Sequence, residues 1–168
     1  MKPFALTAVL VGVLAVAGCS KSPGALDAGF GAGAGGIVPG SASDPSSPAY
    51  FQQTIGDRVL FAVDQSTVSP EGVDVLNKQA VWLMENPAFT AVVEGHADEQ
   101  GTREYNLALG ARRASAVQNF LIERGVAPNR LKTVSYGKER PLEICSDEIC
   151  YAKNRRAVTV LAAGGLTS

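Results

Sequence analysis

The stretch VEGHADEQGTREYNLALGARR, Val93 to Arg113, decides how this chain is read. It gathers the only histidine, His96, several acids and three arginines into a few turns of backbone. Upstream, 89–94 reads as a β-strand. Downstream, 104–124 reads as a helix closed by Gly125 as its C-terminal cap. Asp98 therefore falls in a loop at a strand end, while Asn106, Arg112 and Arg113 fall on the following helix.

That helix has an apolar face of Ala114, Val117, Phe120 and Leu121, with Gly110 permitting close approach. At about 100° per residue, Arg113 lies roughly 50° from the centre of this face and Arg112 roughly 150° away. Arg113 is thus expected against the domain body and Arg112 in solvent. Asp98 and Arg113 then offer one fixed anion and one fixed cation. Two uses fit this spacing. The carboxylate and the guanidinium fork can grip the two ends of a zwitterion, or they can form an internal salt bridge that serves stability alone.

Working outward, 58–63 reads as a first strand. Ser69, Pro70 and Glu71 form a helix start, with serine as N-cap and proline at the first helical position. The apolar positions Val73, Leu76, Ala80 and Leu83 carry that helix to a stop before Asn86 and Pro87. Further strands are expected at 131–136 and 156–161, with a loop between them. The order β-α-β-α-β-β implies an α+β fold, with helices packed on one face of a mixed four-stranded sheet. The folded domain is expected over 56–168.

The N-terminus reads differently. Lys2 precedes an apolar run at 4–17 that is shorter than the roughly 20 residues of a membrane span and fits the core of a secretory signal over 1–18. Val16, Ala17, Gly18 and Cys19 resemble the lipobox of bacterial lipoproteins, with cleavage before Cys19 and lipid on its thiol and amine. Three acyl chains, each buried CH₂ contributing about 0.8 kcal/mol, would hold a protein in a bilayer essentially permanently. Ser20 is not the aspartate that typically retains such lipoproteins in the inner membrane, so the resemblance implies the outer membrane. Residues 19–55 are rich in Gly, Ala, Ser and Pro and almost uncharged, which predicts a flexible tether. Its root-mean-square span would be on the order of 35 Å.

Other chemistries find no support. The net charge of −1 and the lack of a basic stripe argue against nucleic acid. A lone histidine has no zinc-ligand spacing, and its ring is expected to fix a loop by a hydrogen bond. No G-x-S-x-G elbow or phosphate loop is present. Glu94, Asp98 and Glu99 could be imagined as an acid/base pair, but acidic loop residues are more often simply solvated. Cys145 and Cys150 stand five apart in EICSDEIC. The spacing is not C-x-x-C, and a disulfide is expected.

The motifs EGHADEQGTREYNLALGARRASAV, VSYGKERP and NRRAV resemble the OmpA C-terminal-like family of peptidoglycan-binding domains, over roughly 58–161. With the lipobox and tether, the whole chain resembles the lipid-anchored branch of that family, which works in the Tol–Pal system of the envelope. The resemblance implies a non-enzymatic anchor without cofactor, whose ligand is the meso-diaminopimelate of uncrosslinked peptidoglycan stem peptides. Its ligand residues would be Asp98 and Arg113, with Asn106, Leu109 and Phe61. It also implies a partner, TolB, that competes with the cell wall. A related anchor outside the Tol–Pal system, whether another OmpA-like lipoprotein or a motor-associated protein, is the alternative. In one respect the chain departs from the pattern: the family often has an acid after the strand phenylalanine, where this chain has Ala62, with Asp64 nearby.

Overall fold

The computed structural model describes residues 37–163. The expected signal and the lipidated Cys19 lie outside the described residues.

Four strands form one sheet: β1 (Arg58–Leu60), β2 (Phe89–His96), β3 (Leu131–Gly137) and β4 (Arg156–Ala163). Their spatial order is β1-β4-β2-β3. The last strand therefore inserts between the first two and runs antiparallel to both, with Val59 opposite Ala157 and Val93 opposite Thr159. β2 and β3 are parallel, as a helical crossover requires, with Ala91 opposite Leu131. This is the mixed α+β fold expected. β1 is shorter than 58–63 because the chain turns away after Phe61, whose N–H still donates to Arg155 O.

Helix α1 is a single turn, Pro48–Tyr50; α2 spans Pro70–Glu85 and α3 spans Arg103–Glu123. Ser69 caps α2 by accepting from Gly72 N, and Thr102 caps α3 by accepting from Tyr105 N. At the far end of α2, Arg130 donates to the carbonyls of Leu83, Asn86 and Phe89. A cation there satisfies orphan carbonyls and complements the helix dipole. α3 ends at a left-handed glycine, Gly125 (φ 103°), whose N–H reaches Ile122 O.

Successive strand residues face opposite sides of a sheet. Ala91, Val93, Ala157 and Val59 face α2 and α3 and form the core with Leu76, Leu83, Ala114, Val117 and Leu121. The alternate residues, among them Glu94, Val158 and Leu60, face the other side.

Two expectations are corrected. The segment before β1 is not a tether as far as residue 55. Ser47 caps α1 by accepting from Tyr50 N, and a wider π-type turn, Phe51–Gly56, follows. Phe51 is fully buried, with its ring 4.9 Å from that of Trp82. Trp82 Nε1 donates to Pro45 O at 2.6 Å. Aromatic burial and a buried donor's need for a partner fix this stretch despite its composition. Second, the region before β4 is not all loop: α4 spans Glu148–Asn154, capped by Asp147, which accepts from Cys150 N.

Candidate functional site: a buried cation and a buried anion beside the β2–α3 loop

Arg113 projects from the inner face of α3 and is fully buried, whereas Arg112 is exposed. Its guanidinium lies over the Phe61 ring, 5.2 Å from the centroid. All three nitrogens donate to backbone carbonyls: Nε to Gln65 at 2.8 Å, Nη1 to His96 at 2.8 Å and Nη2 to Ala62 at 3.1 Å. The cation thus pins the β1–α2 loop to the end of β2. Burial pushes its pKa down to about 10, with the Asp98 charge partly offsetting that loss.

Asp98 follows β2 and is also buried. Its Oδ1 accepts from Gln100 N at 3.2 Å, and its Oδ2 accepts from Arg155 Nη1 at 3.1 Å. The internal Asp98–Arg113 salt bridge that the spacing allowed is therefore not the arrangement adopted. Asp98 pairs with Arg155, and Arg113 binds neutral carbonyls.

The other expected ligand residues surround this pair. Asn106 is buried at the start of α3 and donates from Nδ2 to Gln100 O at 2.7 Å, so it shapes the loop that carries Asp98. Leu109 is buried one helical turn before Arg113, on the same face. Ala62 is exposed while its carbonyl serves Arg113. Asp64 adopts a left-handed conformation, φ 56°, unusual outside glycine. Its Oδ1 accepts from Tyr105 OH at 3.3 Å.

His96 corrects a further expectation. Its peptide oxygen, not its ring, fixes a loop. Both ring nitrogens are buried without a hydrogen-bond partner, and Glu94 Oε2 approaches Nε2 only to 3.6 Å. Burial first, then Arg156 and Arg140, pushes the pKa down to about 4, so the ring is neutral at pH 7 and the Glu94 contact is no ion pair then. The ring stacks against Tyr136 instead. Glu94 faces the side of the sheet away from α3, so it forms no pair with Asp98 across one site.

Arg155 and Glu148 were not singled out from sequence. The tandem Arg155-Arg156 carried the only hint, since neighbouring residues at a strand start face opposite ways. Arg155 turns to Asp98, and Arg156 reaches Arg140 O. Cys145 and Cys150 are joined, with Cα atoms 6.0 Å apart. Asp147 lies within ligand distance of both, but two paired sulfurs offer no thiolate to a metal.

The sequence model of the OmpA family matches residues 60–155. A protein of Mesorhizobium japonicum called peptidoglycan-associated lipoprotein is 52% identical over 159 residues, covering 93% of this chain and 90% of its own length. Its Brucella abortus namesake is 50% identical and covers 90% and 88%. Among solved structures, the peptidoglycan-associated lipoprotein from Burkholderia pseudomallei superimposes with a TM-score of 0.64 at 38% identity, over 71% of this chain and 97% of that one. The C-terminal domain of Helicobacter pylori MotB gives a TM-score of 0.60 at 23% identity, over 64% and 84%, a likeness of fold alone.

Proposed function

This chain belongs to the OmpA family and, within it, to the peptidoglycan-associated lipoproteins, and from that premise we propose that it is a tether between the outer membrane and the cell wall. It is a structural, non-enzymatic protein. Lipid on Cys19 holds it in the periplasmic face of the outer membrane. The folded domain binds the diaminopimelate of uncrosslinked stem peptides without covalent chemistry. TolB, acting in the Tol–Pal system, competes for the same domain.

The observation that carries the ligand reading is the charge state of Arg113. All of the Arg113 hydrogen bonds go to neutral carbonyls, the nearby Asp98 charge only partly offsets its burial, and a buried cation without a directly paired anion is costly. Its depressed pKa expresses that cost. A ligand carboxylate relieves it, while the ligand's ammonium meets Asp98. Diaminopimelate ends in a free amino-acid group with both charges. The carbonyls of Ala62 and Gln65 close over the fork. The ligand carboxylate competes with them, so the β1–α2 loop opens to admit it.

The test is co-sedimentation of the full-length protein in detergent with purified peptidoglycan, competed by free diaminopimelate. Charge-assisted hydrogen bonds contribute roughly 1.5–3 kcal/mol, so Asp98→Asn and Arg113→Lys each weaken binding about ten- to a hundredfold. Arg113→Lys keeps the charge and loses the fork. Arg112→Ala binds as wild type. If both site variants bind normally while circular dichroism shows a native fold, the ligand site lies elsewhere. Cys19→Ala should lose incorporation of labelled palmitate.

A further inference from the structure

Asp98 poses a problem of charge that Arg113 does not. A carboxylate paired with a guanidinium presents little net charge to an approaching ammonium, because the two cancel at short range. Yet Arg155 has a second anion. Its Nη2 donates to Glu148 Oε1, and its Nη1 lies 3.4 Å from Glu148 Oε2. Glu148 occupies the first turn of α4. Its side chain is 66% exposed, against 6% for Arg155 and 10% for Asp98. Burial works against the Arg155 charge, but hydrogen bonds to Glu148 and Asp98 outweigh it and hold the guanidinium above its ordinary pKa. The buried end of the trio is a hydrogen-bonded ion pair, and the exposed end adds a carboxylate.

We propose that Arg155 and Glu148 are positioning residues for Asp98: Arg155 fixes the carboxylate's orientation, and Glu148 restores to the trio the one net negative charge that a ligand ammonium needs. Opposite it stands Arg113 with one net positive charge, so trio and fork together match a zwitterion. This rests on the zwitterion reading above. Arg155 Nε also donates to Phe61 O at 3.3 Å, the residue whose ring lies under Arg113. Both halves of the site are thus referred to the same residue.

The experiment is titration of full-length protein in detergent with meso-diaminopimelate. Arg155 is buried, and its removal risks the fold, so the exposed partner is varied instead. Exposed ion pairs are worth about 0.2–1 kcal/mol, so Glu148→Gln should weaken binding roughly two- to fivefold. Glu148→Asp, which keeps the charge, should stay near wild type. In an Asp98→Asn background, Glu148→Gln should cost less than in wild type, because without the Asp98 carboxylate the ammonium is no longer held beside the trio. Wild-type binding by Glu148→Gln overturns the proposal. So does an equal loss in both backgrounds, which marks a structural role for α4. If Asp98→Asn itself binds normally, the zwitterion reading fails and this inference with it; if Asp98→Asn is weak while Glu148→Gln is not, only this inference fails.

Discussion

Gly95 in β2 and Gly110 in α3 meet backbone to backbone: a Cβ on Gly95 would lie 1.8 Å from Gly110 O, and one on Gly110 would lie 2.4 Å from Ser135 Oγ. This contact sets how deeply α3 sits on the sheet, and Arg113 lies one turn further along the same helix. Ser135 Oγ donates to Leu107 O at 2.7 Å and adds a polar stitch beside it.

The consequence is that Gly95→Ala should be among the most damaging single-methyl insertions in the domain. The clash is with backbone, which cannot rotate away. Overpacking costs roughly 1–3 kcal/mol and sometimes more. Urea unfolding should show a lowered midpoint, with binding weakened because α3 is pushed off the sheet. A midpoint equal to wild type would mean the helix shifts freely.

Phe51 offers a second measurement. It is fully buried in a proline-containing stretch whose Tyr50 and Ile55 also pack against the core. Phe→Ala in a core costs about 3–5 kcal/mol, and Phe51→Ala should fall near that range. The fluorescence of Trp82, the one tryptophan, should report the exposure of its ring. A small change in both would return the segment to the role of a linker.

The pH dependence of stability should carry the mark of His96. Its pKa is depressed from 6.5 to about 4 in the folded chain. Above pH 6.5 the ring is neutral in both states and folding is not penalised. As pH falls towards 4, the unfolded chain takes up a proton that the folded chain refuses, so stability falls. At about 1.4 kcal/mol per pH unit, the loss approaches 3 kcal/mol. His96→Leu should flatten this part of the profile, read from denaturant midpoints between pH 7 and pH 4.5. An unchanged slope would assign the acid sensitivity to other groups.

Cys145 and Cys150 enclose the N-cap of α4. Chain entropy for so small a ring gives about 2 kcal/mol. Replacing both by serine should lower stability by that order and raise amide exchange in α4 ahead of the sheet. Protein isolated without reductant should yield one linked peptide on mass mapping. Alkylation of both thiols in such material would refute the pairing.

Local periodicity made much of this legible in the sequence. The 100° step per residue separated Arg113 from Arg112, and Ser69 with Pro70 located the start of α2. Strand order was not legible, because β4 entering between β1 and β2 is a pairing between residues nearly 100 positions apart, with no local signature. Phe51 was hidden by composition: a few aromatic residues suffice to dock a segment that averages as linker. Arg155 was hidden because one residue at a strand start has no period. That Asp98 pairs with Arg155 and not with Arg113 turned on a third charged residue, which spacing along α3 could not reveal.

The docking of the N-terminal segment on α2 also sets how the domain would bear mechanical load. Pro45 and Phe51 are held by Trp82, beside the start of β2, whereas Asp98 follows the end of that strand. Eight residues of strand separate these poles, about 26 Å at the rise of an extended chain. Under the proposed function, tension from a lipid anchor resisted at a ligand held by Asp98 would run along the strands. Sheet hydrogen bonds pulled lengthwise share the force instead of parting one after another.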